Sequence, residues 1–480
     1  MVFGLRRFTP RNVIVFTSAS LLFWIFVFSL TPITSPLPPY TGPFEVGILD
    51  VETEVQKRVI HDAVFKETGE HAFELSTLAI TLYYPSSLPL ASPSSRPWAR
   101  PWLPQPISLI GTGYARLVGI RFWPLQSVFT LGLWLLGSST VIPGVVDAPI
   151  LSRDGKILEQ GASGSGKILQ AAQQEHQELK RAKDGEPLPC VVFTHGMAGM
   201  SQSYSHYLGS IASHGYVVAA VEHRDGSGPG TIVHHPDGRE EEVWHMKLGD
   251  ISPPMTDLDL KEAQLRFREA EISETIKLFA RLNAGDAPIE NLKPDSPQES
   301  LSGFKNRLDL GAVTVAGHSY GATGVLRALK SAGSETMPIV AGIALDPGKG
   351  SGPLNTDIDV PVLVMQSGEW TEKQVEFYGQ GKHFDVVRRI VESIKQGWFI
   401  TLSKICHLLF CSQMLTSTSW NRSPFLHGRT VDRSLDNEDG HRHNARIKGR
   451  FARVHRCFGS LLGVPSTWGE KRCTGKSSDK

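Results

Sequence analysis

The sequence predicts an α/β protein with a mostly parallel sheet flanked by helices. Three observations lead there. Short, continuously apolar runs recur at Cys190–Thr194, Tyr216–Val221, Ala312–Ala316, Ile339–Leu345 and Val360–Met365, as expected of strands covered on both faces. Helix-like segments separate them: in Lys261–Leu282 the residues Leu265, Ile272, Ile276 and Phe279 line one face. Glycine-bearing turns follow two of the runs, at His195–Gly199 and Gly317–Gly321. Alternation of this kind builds parallel β–α units.

Taken in order, the chain opens with Val13–Leu30, 18 residues without a charge, preceded by Arg6, Arg7 and Arg11. At 1.5 Å per residue such a helix reaches about 27 Å, close to a bilayer's hydrocarbon thickness. The arginines favour a cytoplasmic N-terminus. The expectation is a single-pass signal anchor in the secretory pathway or an endomembrane, a cleaved signal and a secreted protein being the alternative. Thr31–Pro43 is a proline-rich spacer, so residues 1–40 read as anchor and stalk. Early strands are expected at Phe44–Ile48 and Leu78–Tyr84, the second stopped by Pro85. Phe122–Val146 is apolar but interrupted by Pro124 and Pro143, which argues against a second span. A buried helix is expected there, a surface dipping into lipid or shaping an acyl pocket being the other reading. Glu159–Asp184 reads as an exposed polar insertion. Residues 41–407 then form one catalytic-type domain, with Trp398–Leu402 as its last strand.

Residues 408–480 are a different matter. The 480-residue chain is 40% hydrophobic and 20% charged with a net charge of +1, which excludes a wholly disordered chain and a global nucleic-acid binder. From residue 406 onward there are 13 Lys+Arg against 6 Asp+Glu, leaving 36 and 42 for the body. Four of the five cysteines lie in the same segment, at 406, 411, 457 and 473. With Cys190 alone before them, the body has no internal disulfide framework. The tail is expected to be poorly ordered. Asn421–Ser423 as a glycosylation site and the tail as a basic arm are weaker readings of it.

Gly317-His318-Ser319-Tyr320-Gly321 carries the chemistry. Gly-x-Ser-x-Gly between an apolar strand and a helical run (Ala322–Lys330) marks a sharp turn that presents a hydroxyl at the sheet's carboxyl edge. A neutral serine needs a base, and the base an orienting acid. In sheet hydrolases these follow in the order Ser, Asp/Glu, His. Asp346 closes the strand Ala341–Leu345, 27 residues past Ser319, and is the acid candidate over Asp357 and Asp359, which end no apolar strand. His407, after the last strand, is the base candidate over His383, which opens a helix. The turn at His195-Gly196-Met197 can aim one amide at a carbonyl oxygen. The amide after the serine supplies the other, so Met197 and Tyr320 are the oxyanion candidates. No cofactor or metal is called for. Gly161–Lys167 imitates a phosphate loop, but Ile168 stands where the Mg²⁺-binding hydroxyl belongs and no buried strand precedes it. His234-His235 with Asp237 is expected to be solvated.

Together with the run Ala212–Ser227, which contains Glu222-His223-Arg224-Asp225, and with Gly342–Asp346, these motifs resemble the platelet-activating factor acetylhydrolase family, phospholipase A2-like serine esterases of the α/β-hydrolase fold. Similarity to the fungal branch runs over roughly residues 40–407. The resemblance implies release of a short sn-2 acyl group from a glycerophospholipid without calcium. It implies Ser319 as nucleophile, Asp346 as acid, His407 as base and the Met197 and Tyr320 amides as donors. The phospholipid is the expected partner; nucleic acid is not, and the oligomeric state is open. Departures are Pro347–Gly350 after the acid and the tail after His407, for which a shifted reading frame or retained intron is the expectation. A cutinase-like general carboxylesterase and an inactive membrane-tethered scaffold are the competing functions.

Overall fold

The computed structural model describes residues 18, 20, 37–88, 100–152, 186–285, 289–294, 298–373 and 375–402. Apart from Ser18 and Ser20, the expected Val13–Leu30 anchor lies outside them. So do the Glu159–Asp184 insertion, the Gly161–Ile168 loop, His407 and the tail. No helix among the described residues is long and apolar enough to cross a membrane.

The elements run β1 (Val46–Phe65), β2 (His71–Pro85), β3 (Arg100–Pro101), α1 (Ile107–Leu117), α2 (Trp123–Gly137), β4 (Val141–Ile142), β5 (Val145–Val146), β6 (Leu188–Thr194), α3 (Ser205–Ser213) and β7 (Val217–Val221). There follow β8 (Gly230–His234), β9 (Glu240–Trp244), β10 (Ile251–Ser252), α4 (Asp257–Ala284), β11 (Leu308–His318) and α5 (Tyr320–Ala328). The last are β12 (Ile339–Leu345), β13 (Val362–Gln366), α6 (Gly368–Glu372), α7 (His383–Ser393) and β14 (Gly397–Thr401).

One sheet dominates, in the order β10-β1-β2-β7-β6-β11-β12-β13-β14, with β5 beside β1. From β7 to β14 every pairing is parallel. The β1–β2 hairpin and β10 add an antiparallel wing. This is a mostly parallel sheet flanked by helices, as the alternating apolar runs predict, and α/β-hydrolase-like, as the resemblance implies. Both early strands are longer than their apolar stretches suggest, because hairpin pairing carries β1 and β2 out beyond the core.

The parallel strands lack polar alternation because each face is covered. Cys190, Val192, Val313 and Val315 pack with Ile272, Ile276 and Phe279 of α4 and Val325 and Leu326 of α5. The alternate residues Val191, Phe193, Val218 and Ala316 pack with Leu208, Ile211 and Ala212 of α3. α4 is fixed at both ends. Thr256 and Asp259 form a reciprocal capping box, and Gly285 ends the helix in the left-handed region at φ 60°.

Two expectations are corrected. The Phe122–Val146 stretch is not a buried helix. It forms α2 followed by the short strands β4 and β5, and Trp123, Val128 and Leu136 of α2 are exposed, Trp123 at 72%. α2 is held by α1 rather than by the core: Gly111 of α1 lies so close to Thr130 that a Cβ would stand 2.3 Å from its Oγ1. Nor are His234 and His235 solvated. They sit on or beside a β8–β9 hairpin, where His234 Nδ1 is 2.6 Å from the buried Glu52 and His235 Nε2 is 3.2 Å from Glu241. Cross-sheet carboxylates hold both rings, and no metal cluster occurs among the described residues.

Candidate active site

Ser319 stands between β11 and α5 at φ 54°, ψ −115°, a conformation that L-residues adopt only under constraint. Several close contacts impose it. The Ser319 amide donates to Leu345 O at 2.9 Å, and Thr323 N donates back to Ser319 O at 3.2 Å. The flanking glycines leave the room this turn requires: a Cβ on Gly321 would stand 2.2 Å from Thr194 O, and one on Gly317 2.6 Å from Gly321 C. The serine is half-buried at the carboxyl edge of the sheet.

Asp346 is its neighbour on the adjacent strand end. His318 pairs with Leu345 in the β11–β12 register, so the residues that follow, Ser319 and Asp346, leave the sheet side by side. Asp346 is also in the left-handed region, at φ 47°. Its amide donates to Met365 O at 2.8 Å, and its Oδ1 accepts from Ser367 N at 2.7 Å. Asp357 and Asp359 are exposed in a loop.

The turn after β6 brings the second set of amides. Gly196 packs against Ser319: a Cβ there would lie 3.2 Å from Ser319 Cβ. Within this turn Gly196 N donates to Tyr204 Oη at 3.3 Å, Ala198 N to Ser227 O at 2.8 Å and Gly199 N to Gly196 O at 3.1 Å. The amide of Met197 has no acceptor among the described residues, and Met197 is exposed. Tyr320 is the first residue of α5, whose amide has no intrahelical acceptor. The two predicted donors are therefore amides left over by the fold on either side of Ser319.

The histidine side is different. The described chain reaches Leu402, whose amide donates to Gln366 O at 2.8 Å. His407 lies outside the described residues. His383 opens α7 and is fully buried, its ring 4.8 Å from Phe377 in an edge-on contact. Burial, with the charge of Lys349, pushes its pKa down to about 4. Nearer the serine, burial also lowers His318, whose Nδ1 is 2.8 Å from Tyr204 Oη, while Asp346 pulls the other way.

Beneath the His195–Gly199 turn lies a buried polar cluster that the sequence motifs alone do not explain. Glu222-His223-Arg224-Asp225 follows β7, but its side chains turn largely into the protein. His195 Nε2 accepts from His223 N at 3.3 Å, so its Nδ1–H donates to Gly196 O at 2.9 Å. Burial lowers the pKa of both histidines and raises that of Glu271, whose Oε2 lies 2.5 Å from His223 Nδ1. Asp225 pairs with Arg268 of α4 at 2.7 Å, both side chains fully buried. The signal for Arg268 is a polar stripe on α4: Gln264, Arg268, Glu271 and Thr275, spaced by 4, 3 and 4 residues, are all buried. A cavity of about 560 Å³ between β1 and α4 is lined by residues such as Lys57 and Arg281 and by none of the predicted site residues.

Residues 155–411 match the family model described as platelet-activating factor acetylhydrolase, isoform II. That stretch holds all five predicted site residues. The chain is 32% identical over 167 residues to a platelet-activating factor acetylhydrolase of Canis lupus familiaris, covering 34% of this chain and 36% of that one. It is 28% identical over 297 residues to a putative phospholipase A2 of Schizosaccharomyces pombe, covering 60% and 57%. The match thus spans about a third of the mammalian relative and little over half of the yeast one. Among solved structures, a ferulic acid esterase of Streptomyces cinnamoneus aligns over 76% of this chain and 74% of its own, at 19% identity and a TM-score of 0.40. With more than half of its length matching the family model, the chain belongs to the platelet-activating factor acetylhydrolase isoform II family.

Proposed function

We propose that the protein is a serine esterase acting on glycerophospholipids, releasing a short acyl group such as acetyl from the sn-2 position without calcium. The observation that carries this reading is the strained Ser319, side by side with Asp346 and facing the turn that leaves the Met197 amide unpaired. Strain at a strand-to-helix crossover is kept where it exposes a nucleophile.

In this mechanism His407 takes the Ser319 proton as the hydroxyl oxygen attacks the ester carbonyl. The carbonyl oxygen becomes an oxyanion held by the Met197 and Tyr320 amides. Collapse expels the lysophospholipid alkoxide, which receives the proton from His407 and leaves an acyl-serine. Water, deprotonated by the same imidazole, then releases the acid and restores the serine. Asp346 orients the imidazole and stabilises its cationic form. Chain length permits this: five residues span at most about 17 Å, and the three strand spacings from β14 to β11 amount to about 14 Å. His383, neutral and enclosed, is the poorer base.

Two observations support a lipid substrate. The names of the dog and yeast relatives point to acyl-phospholipid chemistry. The exposed apolar face of α2, with Phe122 just before it, suits an enzyme that meets its substrate at an aggregated lipid surface. The Val13–Leu30 span belongs to the same proposal as the tether to that surface. The test is hydrolysis by the full chain of phosphatidylcholines carrying sn-2 acetyl or sn-2 palmitoyl, with excess chelator present. Chelator-resistant release of acetate that disappears in Ser319→Ala is the expected result. Equal or faster release of palmitate, or release that survives Ser319→Ala, overturns the proposal.

A further inference from the structure

Arg268 takes no part in the proton transfers of that mechanism, yet its side chain touches both halves of the oxyanion site. Nη1 donates to His195 O at 2.6 Å. The same peptide unit is held from its other side, because Gly196 N donates to Tyr204 Oη. With both ends fixed, that plane sets where the next amide, Met197 N–H, points. On the opposite half, the guanidinium lies 4.5 Å from the centre of the Tyr320 ring. The Tyr320 hydroxyl reaches α4 as well, where its one proton is shared between two acceptors, Lys261 O at 2.9 Å and Gln264 Oε1 at 3.0 Å. The remaining nitrogens of Arg268 are used by Asp225 Oδ2 at 2.7 Å and Ser227 Oγ at 2.6 Å. Ser227 O in turn receives the Ala198 amide at 2.8 Å.

A guanidinium presents five N–H donors in a rigid plane, so it reaches several acceptors at fixed angles where an ammonium is a point charge. An oxyanion site works through donors already in place before charge develops. We infer that Arg268 is the positioning residue of the oxyanion site, holding the Met197 and Tyr320 amides at the separation that fits the tetrahedral oxyanion. The inference rests on the esterase reading and deepens it. A plain structural ion pair would affect folding and leave the chemistry of the folded enzyme unselective. A positioning residue affects the transition state more than the bound ester.

The test uses the full chain with p-nitrophenyl acetate and the matching thionoester, in which sulfur replaces the carbonyl oxygen and accepts hydrogen bonds weakly. Arg268→Lys keeps a cation beside Asp225. It is expected to lose about 10²-fold in kcat, as displaced donors do, with KM nearly unchanged and a reduced preference for the oxoester. The double variant Asp225→Asn/Arg268→Gln removes the buried pair as a unit, leaving no lone buried ion, and is expected to show the same pattern. A folded variant of either kind that keeps its kcat, or loses rate with the oxoester preference unchanged, overturns the inference. So does failure of both variants to fold, which makes Arg268 a folding residue. Wild-type protein without Ser319-dependent turnover overturns the esterase reading itself, and is recognised before any Arg268 variant is compared.

Discussion

The two flanks of Ser319 are built differently. On the β6 side, the His195–Gly199 turn rests on a buried network of Asp225, Arg268, Glu271, Gln264 and Tyr204, which bonds His195 O and Gly196 N and leaves the Met197 amide open. On the β12 side, Asp346 holds one side-chain bond among the described residues, to Ser367 N, while Lys349 stacks on Trp370 of α6 and His383 sits neutral at the start of α7. In the proposed mechanism the difference follows from the tasks. Amides that receive a developing charge must be fixed in advance, so their backing is buried and densely bonded. An acid that steers an imidazole needs one oxygen to remain available. Substitutions on the braced flank should therefore cost stability as well as rate, and those on the open flank chiefly rate.

The largest effect is expected at Asp346. Asp346→Asn can still accept from Ser367 N but cannot hold an imidazolium, so kcat on p-nitrophenyl acetate should fall about 10⁴-fold with the unfolding midpoint little changed. A matching loss of stability would erase the contrast between the flanks. Next comes Arg268→Met, which strands a buried Asp225 carboxylate; chemical denaturation should show a loss of about 3–5 kcal/mol.

The open flank should also respond to pH. An unfolded histidine takes up its proton near 6.5, whereas His383 in the folded protein does so only near about 4. Between those values the unfolded state binds more protons, so stability rises with pH across the window and falls on acidification, by up to about 3 kcal/mol for this group. His383→Leu should flatten the slope of the melting temperature between pH 4 and 6.5 and leave esterase activity in place. An unaltered slope would assign the acid sensitivity to another group. The smallest effect on folding is expected at α2. Trp123→Ser should change stability by less than about 0.5 kcal/mol while weakening turnover on phospholipid vesicles relative to a soluble ester.

The same contrast explains what was legible in the sequence. Ser319 and Asp346 follow apolar strands directly and lie 27 residues apart, so local pattern sufficed to place them. The Met197 and Tyr320 assignments follow from position just after β6 and β11. Arg268 was hidden because its partners are far off along the chain: Asp225 is 43 residues away and His195 is 73. On α4 the apolar face of Leu265, Ile272, Ile276 and Phe279 was plain. The polar stripe beside it reads as solvent-facing until the sheet is seen to cover it too. α2 misled in the opposite sense. Its apolar residues set no amphipathic pattern, and hydrophobicity without a pattern does not say whether protein or something else covers it. The Glu222–Asp225 run was distinctive as part of the resemblance, and its side chains bond largely inside the protein.

The central claim is that Ser319 is an activated nucleophile, and one measurement tests it most directly. Full-length protein is treated with a fluorophosphonate probe and the modified peptide is identified by mass spectrometry. A single phosphonyl adduct on Ser319, absent from Ser319→Ala and strongly slowed in His407→Ala, is the predicted result. An unmodified Ser319 in folded protein, or labelling just as fast without His407, would contradict it.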